Sequence, residues 1–468
     1  MAADRTPATS ACLDYLRAIW NALGGQPSLP DKVAFHGTGS LPSVFPVTDL
    51  AAASIAAAGL AVAELLALRH GEFPGVRVDR RLASFWFGTS LRPVGWKLPP
   101  AWDPIAGDYE AADGWIRLHT NAPHHRAAAL RVLDCGPDRT SVAEAVKKWK
   151  ALDLENAIVE QHGCAAQMRS LAEWSMHPQG VAVAAEPLVW RVAAPAADKP
   201  SWPVSRDRPL EGLRVLDMTR VLAGPVATRF LAGYGAEVLR LDPPGWDEPS
   251  LAPELTVGKR CARLDLRSTE GRRTFRQLLR DADVLVHGYR PDALPALGFD
   301  AEQRRRINPA LVDVSLDAYG WTGPWKTRRG FDSLVQMSCG IADAGMRQLG
   351  QSKPTPLPVQ ALDHATGYMM AAAVVRGLVD RVRSGTGGEA RASLARTAAL
   401  LVQRTQPDDA DALAPETRED CTMPSETTAW GRARRVKVPL EIAGTDMAWC
   451  IPAGPLGASP AAWATAGG

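Results

Sequence analysis

No two cysteines in this chain stand at metal-ligand or redox spacing. Seven Cys (12, 135, 164, 261, 339, 421 and 450) are scattered through 468 residues with no CxxC. That excludes a disulfide frame or a zinc knuckle and leads us to expect reduced thiols in a cytoplasmic protein. An excess of one charge is lacking too. The 53 basic and 51 acidic residues leave a net charge of +2, so no overall field directs the chain to nucleic acid or a membrane, and an anionic ligand would need a local basic patch. The opening stretch, MAADRTPATSACLDYLRAIW, lacks the apolar core of a signal peptide. Strongly apolar runs are scarce. The longest, Ala51–Leu68, is Ala-rich, contains Glu64 and ends at Arg69-His70-Gly71, which fits a buried helix better than a membrane span. What remains is ordinary globular composition, 46% apolar and 22% charged, at a length that allows two or three domains.

The most informative stretch runs over residues 353–393. Pro354, Pro356 and Pro358 keep the chain out of helix up to Val359-Gln360, so a helix should begin near Asp363. Met369, Met370, Ala373, Val374, Gly377 and Leu378 then recur at helical spacing, Gly385, Gly387 and Gly388 stop the helix, and residues 389–393 alternate like a strand. A carboxylate at a helix start faces free N–H groups and the positive end of the dipole. Spacing alone is satisfied by a plain N-cap at Asp363.

The first half repeats this layout. A short helix at Cys12–Leu23 and a turn-rich segment lead to Asp49, and the spacing from Asp49 to Gly71 equals that from Asp363 to Gly385. Arg69 then matches Arg383, and Val76-Arg77-Val78 matches Ala390-Arg391-Ala392, without a gap. Residues 101–190 form a different block. Asp113-Gly114 marks a turn before the alternating strand 115–119, and amphipathic helices are expected near 124–134, 141–150 and 154–162. His119, His124 and His125 have no Cys or carboxylate at ligand spacing, so they are expected to be surface histidines rather than metal ligands. Residues 193–209, with four prolines and mixed charge, are expected to be a linker.

After the linker, strands expected at 213–217, 237–242, 262–266, 284–287 and 311–316 alternate with helices, which predicts a doubly wound parallel α/β sheet. Asp242 ends the second strand as a ribose-binding acid would. However, the loop TRVLAGPVATRF lacks the G-x-G-x-x-G approach to a pyrophosphate, and this excludes a nicotinamide site. Gly224-Pro225 still places a helix N-terminus where an anion could sit.

Five ordered motifs accompany Asp363. They are Gly235-Ala236-Glu237-Val238-Leu239-Arg240-Leu241-Asp242; Gly258-Lys259-Arg260-Cys261 running to Leu264-Asp265-Leu266-Arg267, with Glu270-Gly271; Ala282-Asp283-Val284 through Arg290-Pro291, with Leu294 and Gly298; Asn308-Pro309 through Ser315; and Gly330-Phe331-Asp332, with Gln336, Ser338 and Gly340. From Leu210 to about Leu401 this pattern resembles the family III CoA-transferases, the formyl-CoA and carnitine-CoA transferase relatives. The resemblance implies a Rossmann-like large domain plus a smaller α+β domain. Its division of the chain is a degenerate first half at 1–192 containing the small domain (about 101–190), a linker at 193–209, and the large domain with a C-terminal extension at 210–468.

The resemblance also implies functional roles. Asp363 matches the aspartate that attacks an acyl-CoA thioester, and Tyr319 matches an active-site tyrosine. Leu222, Ala223, Leu264, Asp265, Leu266, Arg267, Gly288, Tyr289 and Arg290 match positions that contact CoA, with Arg267 and Arg290 suited to its phosphates. Leu222 stands where some transferases have a Gln, and Pro243-Pro244 replaces basic residues seen in others. Asp49 lacks the Leu-Asp-His-Ala-Thr-Gly context and is expected to be structural. The implied activity is transfer of CoA from an acyl-CoA to a carboxylic acid, with coenzyme A as substrate and no further cofactor or metal. Two alternatives are an α-methylacyl-CoA racemase, which places a His where Phe331 stands here, and a CoA-binding protein without catalysis. Family members form interlocked dimers, so either a homodimer or a chain that folds back as its own partner is implied.

Overall fold

The computed structural model describes residues 7–196 and 202–464. Among these, the largest sheet has seven strands: β1 (Trp190–Ala196), β2 (Arg214–Met218), β3 (Glu237–Asp242), β4 (Lys259–Arg263), β5 (Val284–His287), β6 (Val312–Asp317) and β7 (Thr386–Ser393). They lie in the order β4-β3-β2-β5-β6-β7-β1. All neighbours are parallel except the outermost pair, β7 with β1. A parallel strand is covered on both faces, and β5 is accordingly buried at every position. The chain winds outward through β3 and β4, then returns to set β5 on the other side of β2. That reversal makes a crevice at the carboxyl ends of β2 and β5, where open α/β sheets hold ligands.

Four helices matter for the site: α1 (Val47–His70), α2 (Ala223–Gly233), α3 (Asp332–Ser338) and α4 (Ala361–Ser384). Asp363 lies in the first turn of α4, and Gly385 at φ 69° ends it by donating its N–H to the Arg381 carbonyl. The helix packs tightly on α2, since a Cβ on Gly367 would meet the Ala223 carbonyl oxygen at 2.3 Å. α1 repeats the layout of α4 closely. Each has 24 residues with Asp third, and the residues before them share nearly the same backbone (Pro46 φ −76°, ψ 68°; Gln360 φ −74°, ψ 63°). Gly71 and Gly385 close them in the left-handed conformation, and Asp79 and Ser393 then cap the short helices Arg80–Trp86 and Leu394–Leu401. The two long helices pack on one another in a single core, and Glu64 of α1 pairs with Arg376 and Arg383 of α4.

The chain ends are interlaced. Strand Val76–Asp79 pairs in parallel with Val33–His36 and antiparallel with Leu440–Ile442, and Leu91–Pro93 pairs with Gly431–Arg435. The α+β unit has its own antiparallel sheet (Gly107–Ala111, Gly114–Leu118, Ala165–Gln167) and its own core around Tyr109, Ile116, Leu154 and Ile158.

Several elements differ from expectation. Residues 193–196 are not linker but the end of β1, which hydrogen-bonds to β7, and residues 197–201 lie outside the described residues. β4 begins at Lys259 rather than Ala262, because the Lys259 ammonium is buried against Asp217 (3.0 Å) and Thr228 (2.6 Å) and anchors the strand start. Pro178-Gln179 opens a helix, Pro178–Ala185. The Gln179 side chain holds the following half of the molecule. It donates to the carbonyls of Tyr319 and Thr322 and accepts from the Trp325 N–H.

Candidate active site

A cleft of about 210 Å³ opens at the reversal point of the large sheet. The loop after β2 supplies Arg220, Val221 and Ala223, and the loop after β5 supplies Gly288, Tyr289 and Arg290. Asp317, Phe331 and Asp363 line it from β6, α3 and α4, and His124 and His125 enter from the α+β unit. The cleft is therefore completed by residues of the first half.

Asp363 is 8% exposed. Burial pushes its carboxyl well above the usual carboxylate range, and the neighbouring Asp332 carboxylate pushes it further. Asp332 is fully buried and raised to about 6, chiefly by burial. It accepts the backbone N–H of Asp363 at 2.9 Å on one oxygen and the Gln336 amide on the other. Gln336 in turn accepts the Leu357 N–H at 2.7 Å. Helix α3 thus pins both ends of the Pro-rich loop that delivers Asp363. The Asp317 carboxyl, also raised by burial, accepts the N–H groups of Tyr319 (2.7 Å) and Gly320 (3.0 Å).

Four arginines line the same cleft: Arg220, Arg290, Arg328 and Arg329. Arg220 lies between two rings, 4.9 Å from Trp246 and 5.1 Å from Tyr289, which fixes a planar cation without neutralising it. Arg290 approaches Asp292 at 3.3 Å, and Arg328 is engaged with Glu155 at 2.8 Å. Val221 has φ 65°, a conformation a β-branched residue adopts only under constraint. Its N–H donates to the Glu248 carboxylate at 2.6 Å.

Of the residues singled out by sequence, Asp363, Ala223, Gly288, Tyr289 and Arg290 line the cleft. Leu222 caps α2 beside it and is buried. Leu264, Asp265, Leu266 and Arg267 do not reach the cleft lining. They form the turn after β4, with Leu266 packed in the core and Arg267 exposed. Tyr319 is also not in the lining. Its side chain is fully buried, stacked edge-on to Trp325, and its hydroxyl meets that of Ser338 at 3.1 Å.

Of the three histidines expected at the surface, His124 is exposed but the other two are not. His119 and His125 are 6% and 4% exposed, and His119 stacks on Phe331 at 3.8 Å. No cluster of three or more metal-ligating side chains occurs among the described residues. Asp49, by contrast, is held in a buried ion pair with Arg80 at 2.6 Å and touches the Cys12 thiol at 3.1 Å. Arg220, Arg329, His125 and Trp246 were missed by sequence reasoning. Arg220 and Arg329 carried a signal, since Arg220 sits inside the loop TRVLAGPVATRF and Arg329 directly precedes the Gly330-Phe331-Asp332 motif.

Residues 210–426 match the sequence model of CoA-transferase family III. Over this segment the chain is similar to CoA-transferase family III. Curated proteins are similar to the chain as well. Acetyl-coenzyme A transferase nodX of Hypoxylon pulicicidum is 32% identical over 258 residues, 52% of this chain and 44% of the relative. The probable fatty acyl-CoA transferase Rv3272 of Mycobacterium tuberculosis is 34% identical over 192 residues, covering 38% of this chain and 48% of the relative. Succinyl-CoA:glutarate CoA-transferase of Mus musculus is 34% identical over 193 residues, covering 38% and 44%. A crystal structure of Rv3272 aligns at TM-score 0.38 and 30% identity, over 42% of this chain and 58% of that one. The chain spans about half the length of the curated relatives it matches. Asp363, Arg220, Arg290 and Arg329 fall inside the family III segment; His124 and His125 fall outside it.

Proposed function

We propose that the chain is a CoA-transferase that moves CoA from an acyl-CoA donor to a carboxylic acid acceptor, with Asp363 as the covalent nucleophile. The observation that carries this reading is the position of Asp363. It is a water-shielded carboxyl in the first turn of a helix, opening on a cleft lined by arginines at the reversal point of the sheet. CoA would lie along the carboxyl ends of β2 and β5, its phosphates beside Arg220 and Arg290.

In the first step a carboxylate oxygen of Asp363 bonds to the thioester carbonyl carbon, the C–S bond breaks, and CoA leaves as thiolate. The thiolate attacks the aspartyl carbonyl of the mixed anhydride, forming an aspartyl-CoA thioester and releasing the donor acid. The acceptor carboxylate then attacks that thioester, and the returning thiolate closes the new acyl-CoA and frees Asp363. Each step exchanges one acyl bond for another, so no oxidant or further cofactor is called for. Exclusion of water keeps the anhydride from hydrolysis.

Mass spectrometry after incubation with a panel of acyl-CoAs, quenched with hydroxylamine or borohydride, tests the proposal. A modification at Asp363 that is absent in Asp363→Ala is expected. CoA binding without an adduct from any donor would overturn it, and exchange of the α-proton in deuterated water would then favour the racemase.

A further inference from the structure

Beyond Asp363 the cleft holds a second polar corner that the transfer chemistry leaves unused. Arg329 lines the cleft and is half-buried, with no hydrogen bond or ion pair to its side chain among the described residues. The nearby Asp292 is already taken by Arg290, and Glu155 by Arg328 and Arg169. Beside Arg329, the helix Pro123–Leu133 starts without a side-chain cap, so the N–H of His124 points out of an open first turn. His125 in that turn is 4% exposed, and its Nδ1 is buried with no partner. Its Nε2 lies 3.6 Å from the Cys164 sulfur.

These groups have a definite electrostatic character. Burial, then His124 and Arg329, holds His125 down to about 3, so the ring is neutral over the physiological range. Burial lifts the Cys164 thiol to about 12, so it keeps its hydrogen. A thiol that donates to Nε2 leaves Nδ1 as an N–H donor. The floor is apolar: Phe331, stacked on His119, approaches the His125 ring at 5.8 Å. A guanidinium, an imidazole N–H and a helix N-terminus around an aromatic floor suit a carboxylate at the end of a short carbon chain. The chain would lie over Phe331 with its other end at Asp363.

We infer that this corner, Arg329 with His125 and the first turn of their neighbouring helix, binds the second carboxylate of a dicarboxylic acid, so that the acyl groups handled at Asp363 are those of dicarboxylates. The inference rests on the aspartyl-transfer reading and assigns the substrate class of that same cleft. A phosphate of CoA presents related chemistry, and the test separates the two.

Rates of Asp363 modification by succinyl-CoA and butyryl-CoA, which differ by the terminal carboxylate, are compared in wild type, Arg329→Leu and His125→Phe. The wild type is expected to favour succinyl-CoA, and Arg329→Leu to lower that preference about 30-fold or more, as loss of one partner of a shielded charge pair does. Arg329→Lys should recover part of it, which separates charge recognition from a folding defect. An unchanged preference in Arg329→Leu would overturn the inference. Equal slowing of both donors, with weaker binding of free CoA by calorimetry, would overturn it in favour of a phosphate. Calorimetry of glutarate against valerate on the CoA-loaded protein reads the corner without the chemistry. A glutarate preference lost in Arg329→Leu supports the inference even if no adduct forms, and equal binding overturns it.

Discussion

At Asp363 two carboxyl groups share one buried neighbourhood, and the second is not idle. Asp332 accepts the Asp363 N–H and so fixes the backbone of the proposed nucleophile, while its charge discourages ionisation of the same residue. A nucleophilic carboxyl must be ionised to attack, so adduct formation should fall as pH drops through the raised value of Asp363. Removing the neighbouring negative charge lowers that value. Asp332→Asn is therefore expected to move the pH profile of Asp363 labelling to lower pH, and Asn can still accept the Asp363 N–H through its carbonyl. An unmoved profile would show that burial alone sets the ionisation. His364, next in sequence, takes no part. It stacks on Phe87 at 5.1 Å and does not line the cleft. This removes the one histidine in the α4 motif on which a racemase reading could rest.

At the level of elements, the two long helices share one layout but put their aspartates to different use. α1 preserves the length, entry backbone, terminal glycine and following capped helix of α4, yet its aspartate is spent on Arg80. Asp49→Ala would leave the Arg80 guanidinium buried without its partner, a loss of about 3–5 kcal/mol. We expect a lower urea midpoint with Asp363 labelling per folded molecule retained. Labelling at Asp49 in the wild type would contradict this division of roles. The repeat was legible in the sequence because a glycine stop and a helix start leave local marks at fixed spacing. The doubly wound parallel sheet followed from the alternation of strands and helices for the same reason. What the sequence hid was set by distant contacts. His119 and His125 pass for surface residues until Phe331, more than two hundred positions later, is laid against them. The start of β4 was misplaced because its first residue is a lysine, and only the buried Asp217 makes a lysine acceptable there. The motif points to Tyr319, but Gln179 and Ser338 engage its carbonyl and its buried hydroxyl, and its side chain does not line the cleft.

Across the whole molecule, the halves are stitched rather than adjoined. β1 comes from the first half and completes the large sheet, while Leu440–Ile442 and Gly431–Arg435 return to strands of the first hundred residues. Glu254 lies buried between Arg229 and Arg435 and accepts from Ser90, so three distant parts of the chain meet on one carboxylate. Burial pushes that carboxyl up, but its two arginines and Ser90 outweigh it and hold the group down at about 2. Residues 210–468 expressed alone would expose the face of α4 that α1 covers and leave these charges unmatched. We expect that fragment to be insoluble or to show no cooperative melting transition, whereas the full chain melts in one. A fragment with wild-type cooperativity would mean that the first half is dispensable for folding.

The pairing of α1 with α4 also sets a problem of timing. α1 is long and apolar enough to cross a membrane, and it escapes that fate in the finished protein because 94% of its most apolar window is buried. Its covering helix is encoded about 300 residues later, and at the usual pace of translation a ribosome needs about 15–60 s to reach it. For that interval the nascent chain carries a greasy helix covered only by its near neighbours, Pro7–Ala22 and Arg80–Trp86, in competition with chaperones, insertion machinery and other nascent chains. Synonymous changes that slow decoding between the two helices should therefore cost soluble yield without altering a single residue of the product.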